Sequence, residues 1–181
     1  MRENARVLGK YAALCQELDI VPIIEPEVLI DGNHDLDKCY EVTAKNFDLL
    51  FDELWELRVF IPGVILKTSM VLPGKDAAEK ASPEKVAEAT LRCLREHVPA
   101  GIGGIVFLSG GQTDEDATAN LSAMHQGAPL PWPLSFSYGR AIQNPALLSW
   151  AKNPGDIKSA HELLVQMARN NSLASVGKYK K

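Results

Sequence analysis

From Ala5 to Leu18 apolar residues recur at helical spacing (Val7, Leu8, Tyr11, Leu14, Cys15 and Leu18), and they predict an amphipathic helix. A short apolar run follows, "IVPIIEPE", with strand character. Turn chemistry in "DGNHDLD" leads to a long helical pattern from about Leu36 to Leu57, carrying Tyr40, Phe47, Leu50, Leu54 and Leu57 on one side. A second strand, "GVILK", comes next. After "VLPGKD", Ser82 as N-cap and Pro83 at the first helical position open a helix that runs to about His97. The strand "IVFLS" follows a Gly-rich approach, "AGIGG". Thr113 with Asp116 three residues on resembles a capping box and predicts a helix to about His125. The strand "PLSFS", a helix around Pro145 to Ala151 and a last helix from about Asp156 to Ser172 complete the pattern.

One helix followed by four strand-helix pairs implies a parallel sheet with helical crossovers, an α/β fold. The strands are short and apolar throughout, as expected when both faces are covered. Four such units are half of a (βα)8 barrel, and the lone leading helix reads as the tail of a preceding unit. Residues 1–181 are therefore expected to form a single incomplete barrel domain with no separate linker or tail domain. Polar residues sit at the strand ends: Glu25, Lys67 and Ser109 fall 42 residues apart, and Ser137 ends the fourth strand. Ligands of α/β sheets and barrels bind outside those carboxyl ends.

Composition narrows the function classes. With 46% hydrophobic residues the chain can bury one substantial core. The balance of 19 basic against 23 acidic residues, formal charge −4, has no basic block except Lys178 to Lys181, which argues against nucleic acid as a partner. No apolar stretch approaches the ~20 residues of a membrane helix, and "MRENARVLGK" lacks the apolar segment of a secretion signal, so a cytoplasmic protein without membrane contact is expected. Cys15, Cys39 and Cys93 are widely spaced and form no CxxC pair; reduced thiols are expected, with no zinc site. "DGNHDLD" lacks the spacing of a calcium loop and reads as a turn and helix cap.

The chemistry concentrates in four places. Lys67 closes an apolar strand, where a lysine either extends its head to solvent or serves as an amine nucleophile toward a carbonyl. Glu25 ends the preceding strand before Pro26, with Glu27 two residues on. If consecutive strands are neighbours, Glu25 either shuttles protons for an imine at Lys67 or only pairs with it. "LSGGQ", with Ser109 and Gly110, leads into a helix and offers backbone N–H groups to an anion. "SYGR", with Ser137, Gly139 and Arg140, adds a guanidinium suited to phosphate. Both are also ordinary connectors.

Taken together, "VPIIEPEVLIDGNHDL", "GVILKTSMVLPG", "GIVFLSGGQTDEDA", "PWPLSFSYGRA" and "NSLASVGKY" resemble the class I, Schiff-base fructose-bisphosphate aldolases across essentially the whole chain. The resemblance implies a (βα)8 barrel that reversibly cleaves fructose 1,6-bisphosphate to dihydroxyacetone phosphate and glyceraldehyde 3-phosphate, with no metal or other cofactor. It makes Lys67 the imine-forming lysine and Glu25 the acid/base of the imine steps, with Glu27 beside it. Ser109, Gly110, Gly139 and Arg140 would hold the C1 phosphate of the sugar, and Ser137 would line the same site. Thr68 and Ser69 stand where the family commonly has Pro after the lysine. Only the family's second half is matched, so its first four βα units, with further active-site side chains and much of the C6-phosphate site, lie outside the match. The expected partners are a sugar phosphate and either further copies of the chain or a complementing N-terminal half. The alternative is a half-barrel without turnover that acts only in binding or assembly.

Overall fold

The computed structural model describes residues 1–127 and 129–180. Its elements are α1 (Arg2–Glu17), β1 (Ile23–Ile24), α2 (Leu36–Glu56), a 3₁₀ turn (Ile61–Gly63), β2 (Ile65–Thr68), α3 (Pro83–His97), β3 (Gly104–Phe107), α4 (Asp114–Met124), β4 (Leu134–Phe136), α5 (Arg140–Lys152) and α6 (Ile157–Ala174). The four strands form one parallel sheet in the order β1-β2-β3-β4, the succession of a segment of a (βα)8 barrel.

The helix starts follow the caps written in the sequence. Asp35 accepts the Lys38 amide at 2.8 Å to open α2, and Thr113 accepts the Asp116 amide at 3.1 Å to open α4. Ser82 caps α3 with Pro83 behind it, and Asp156 caps α6 through the Ser159 amide at 3.1 Å. Helix α5 starts earlier than expected and takes Pro145 into its body. The missing Pro N–H removes one internal bond without ending the helix.

The core lies between the sheet and its helices. Ile24, Leu66, Thr68, Ile105 and Phe107 are fully buried on the helix side, against Phe47, Leu50 and Leu54 of α2, Leu94 of α3 and Leu121 and Met124 of α4. The other face is open: Ile23 is 47% exposed and Lys67 and Val106 are half-buried. This corrects the expectation that both faces are covered. A four-strand arc has no opposing strands to fill its concave side, whereas a closed eight-strand barrel fills that space with its own side chains.

Helix α1 also differs from its sequence pattern. Ala5, Gly9 and Ala12 face inward, while Val7, Tyr11, Leu14 and Leu18 are exposed. Helix α2 is close enough that a Cβ on Gly9 would lie 3.1 Å from Leu57 Cδ1. The small-residue face gives that close approach, so the larger apolar ridge points outward. Leu147, Leu148, Trp150, Ile157 and Val165 are likewise exposed on α5 and α6. No helix among the described residues is long and apolar enough to cross a membrane.

Candidate active site

The parallel register places the first pair of side chains. Ile23 faces Ile65 and Ile24 faces Leu66, so continuing the ladder sets Glu25 opposite Lys67. Both side chains project from the open face, because their neighbours Ile24 and Leu66 point into the core. Lys67 Nζ lies 2.8 Å from Glu25 Oε1, with the side chains 23% and 41% exposed. An ion pair this open contributes about 0–1 kcal/mol, so its importance is placement: an amine and a proton acceptor held in hydrogen-bond contact.

The interval of 42 residues does not carry over to the third strand. Lys67 faces Val106, and Ser109 lies three residues farther along the chain, past the end of β3. Equal spacing in sequence reflects loop lengths here, since the register offset changes from one strand pair to the next. The Leu108 amide still donates to the Thr68 carbonyl at 3.0 Å, and the Gln112 amide donates to the Ser109 carbonyl at 3.2 Å. Ser109 is thereby buried in a turn that leads directly into α4.

That turn meets the fourth unit. A Cβ added at Gly110 would stand 3.4 Å from Arg140 Nη2 and 3.8 Å from Glu27 Oε1, so glycine leaves the space in which guanidinium and carboxylate approach the backbone. Arg140 is the first residue of α5, with Gly139 as its N-cap. The corner delivering them is fixed by the buried Tyr138, whose hydroxyl donates to the Ala117 carbonyl at 3.0 Å. Burial drives the Tyr138 phenol well above its usual range, so it serves as a neutral anchor. Ser137 is exposed at the end of β4, where its amide donates to the Phe107 carbonyl at 2.8 Å. Arg140 is exposed and has no ion pair with a carboxylate among the described residues.

The structure thus brings Glu25 to Lys67, and Glu27 to Gly110 and Arg140. Glu25 pairs with Lys67, whereas the Glu27 carboxylate lies toward Gly110, although the two are only two residues apart. The side chains of "DGNHDLD" behave as structural groups: Asp35 caps α2, and Asp31 pairs with Lys75, which holds the Asp31 carboxyl below its ordinary range. Among the described residues no group of His, Cys, Asp and Glu could hold a metal ion. Cys39 and Cys93 are buried free thiols, and burial raises both, the latter to about 12.

Two loops support this end of the sheet. The Gly74 amide donates to the His34 carbonyl at 2.8 Å, the Lys75 amide to Ile30 at 2.9 Å and the Asp76 amide to Gly32 at 3.0 Å. A side chain at Gly74 would collide with the Gly32 carbonyl. Gly111, at φ +78°, packs so closely on Ile30 that no Cβ fits. Gln112, the last residue of "LSGGQ", accepts a 2.7 Å hydrogen bond from Asn120 behind the Ser109 turn, and Asn120 lies outside the sequence motifs.

The sequence model of the family described as fructose-bisphosphate aldolase class-I matches residues 1–181. The chain is 54% identical over 178 residues to a probable fructose-bisphosphate aldolase class 1 of Xanthomonas campestris, covering 98% of this chain and 53% of that protein. It is 48% identical over 179 residues to the chloroplastic fructose-bisphosphate aldolase 2 of Pisum sativum, covering 99% of this chain and 51% of the relative. Among solved structures, fructose-bisphosphate aldolase from Plasmodium falciparum, in complex with TRAP and a small-molecule inhibitor, superposes with a TM-score of 0.96 at 43% identity, over 99% of this chain and 52% of that one. The chain spans about half the length of the relatives it matches.

Proposed function

The chain belongs to the class I fructose-bisphosphate aldolase family, and from that premise we propose that it supplies the imine lysine and the C1-phosphate site for the reversible cleavage of fructose 1,6-bisphosphate. In this reading Lys67 Nζ adds to the C2 carbonyl of the ketose, and loss of water leaves a protonated imine. A base then takes the C4 hydroxyl proton, the C3–C4 bond breaks, and its electron pair moves toward the imine nitrogen. Glyceraldehyde 3-phosphate leaves. Protonation at C3 and hydrolysis release dihydroxyacetone phosphate and restore the amine.

Glu25 shuttles the protons of the imine steps, with Glu27 as the second carboxylate of the site. Ser109, Gly110, Ser137, Gly139 and Arg140 hold the phosphate on C1. The observation carrying this reading is the 2.8 Å contact between Lys67 and Glu25 at the carboxyl ends of adjacent parallel strands. The meeting of Gly110 with Arg140 supports the phosphate assignment. Residues 1–181 act as one incomplete barrel domain, in a cytoplasmic setting compatible with three free thiols. The domain works with further copies or with a first-half polypeptide.

A second reading is a half-barrel that binds or assembles without turnover, favoured by the open sheet face and by the half-length match. Incubation with dihydroxyacetone phosphate, borohydride reduction and peptide mapping separates the two. A reduced adduct on Lys67 is expected. No adduct on the folded chain, alone or with a first-half polypeptide of a relative, overturns the imine assignment and leaves the binding role.

A further inference from the structure

The open face of the sheet carries one polar strand residue that neither the ion pair nor the phosphate loops account for. Lys67 is in register with Val106, and Val106 with Ser135, so a single row crosses the sheet from Glu25 through Lys67 and Val106 to Ser135. Leu134 is buried in the core, and alternation along β4 therefore turns Ser135 to the open face, where it is half-buried. The other strand positions on that face, Ile23, Ile65, Gly104 and Val106, have no polar side chain. The Ser69 hydroxyl, two residues beyond Lys67, is sealed from solvent. That of Ser135 is accessible and makes no hydrogen bond with any described residue.

Its place between the two ends of a bound ketose phosphate gives that hydroxyl a task. Neighbouring strands lie about 4.8 Å apart and residues rise about 3.3 Å along a strand, so Ser135 stands about 10 Å across the sheet from Lys67 and about 7 Å before Ser137. The Lys67 amine leans to Glu25, away from β3, and a carbonyl carbon bound to it keeps its other side toward Val106 and Ser135. Gly110 follows the end of β3, and Gly139 and Arg140 follow the end of β4. The atoms that join the amine to those loops, the C1 carbon and its ester oxygen, thus cross β3 and reach β4 above Ser135. We propose that Ser135 is a substrate-binding residue whose hydroxyl donates to an oxygen of the C1 phosphate ester from the strand side, opposite the loops. This assignment rests on the reading of Lys67 as the imine lysine and of Gly110 and Arg140 as the phosphate site. It adds a donor to that site from a strand, whereas the others come from turns and a helix start.

Dihydroxyacetone phosphate and dihydroxyacetone, which lacks the ester, are the paired probes, and borohydride trapping on Lys67 is the readout under the conditions of the imine test. Ser135→Ala should raise the dihydroxyacetone phosphate concentration for half-maximal trapping roughly ten-fold, the usual cost of a hydrogen bond to a charged group, and leave that for dihydroxyacetone unchanged. Ser135→Thr, which keeps the hydroxyl on a residue that favours strands, should restore the original value. A merely structural serine would shift both probes alike. No adduct on Lys67 of the unsubstituted chain overturns the imine reading and this assignment with it. An adduct whose dependence on dihydroxyacetone phosphate is unchanged in Ser135→Ala, or an equal loss with dihydroxyacetone, overturns this assignment alone.

Discussion

At the scale of single residues, the division between Glu25 and Glu27 matters most. Glu25 touches the Lys67 amine, whereas Glu27 stands near Gly110 and the Arg140 guanidinium. Lys67→Arg keeps a cation against Glu25 but cannot form a stable imine, so borohydride should trap no adduct. Glu25→Gln should slow adduct formation by about 10²–10⁴-fold, the typical contribution of a positioned acid/base, measured by quenched mass spectrometry. The adjacency of Lys67 and Glu25 was legible because consecutive strands in such folds pair and both side chains end apolar runs. The position of Ser109 was not, since a constant interval in sequence says nothing about register once loop lengths differ. His125 offers a pH test away from the site. Burial holds its pKa below 6.5, opposed by a backbone hydrogen bond with Leu134, so the unfolded chain takes up that proton first on acidification. The stability tied to neutral His125 is therefore fully present above pH 6.5 and is lost as pH falls toward the folded value. Urea denaturation at pH 7.5 and 5.5 should show that loss, and His125→Asn should reduce it.

At the scale of elements, the helix starts were the most readable features, because a cap is a local contract between a side chain and an amide three residues away. Asp35, Ser82, Thr113 and Asp156 all fulfil it. Thr113→Ala should cost about 1 kcal/mol in chemical denaturation. Strand β1 takes up only two residues of its apolar run, and the larger apolar stripe of α1 faces outward. An edge element has a single neighbour, so hydrophobic pattern alone does not say which side that neighbour takes. The clasp between the loops at Gly32 and Gly74 was equally hidden, being made of backbone groups far apart in sequence. Gly74→Ala, which forces a methyl into the Gly32 carbonyl, should destabilise the chain by about 1–3 kcal/mol, with the urea midpoint as readout.

At the scale of the whole molecule, the α/β class and the barrel-type strand order were legible in the alternation of apolar runs and helical stripes. The open concave face was legible only through the resemblance to half of a longer family, because the apolar strand pattern itself is the same whether or not opposing strands are present. Exposed apolar side chains on α1, on β1 and on α5 and α6 mark both flanks of the sheet. Such a surface, next to unpaired strand edges, should make the chain associate as its concentration rises, visible by sedimentation velocity. Ile23→Lys on β1 should shift that equilibrium toward the single chain. Lys67 sits on an interior strand, with β1 and β3 on either side, whereas Glu25 directly follows β1, the outermost strand, which has no second neighbour among the described residues. Any strand that seats on that edge meets the Glu25 carboxylate before it meets the Lys67 ammonium. A strand seated there would change the surroundings of the carboxylate first, while the ammonium keeps a neighbouring strand on each side.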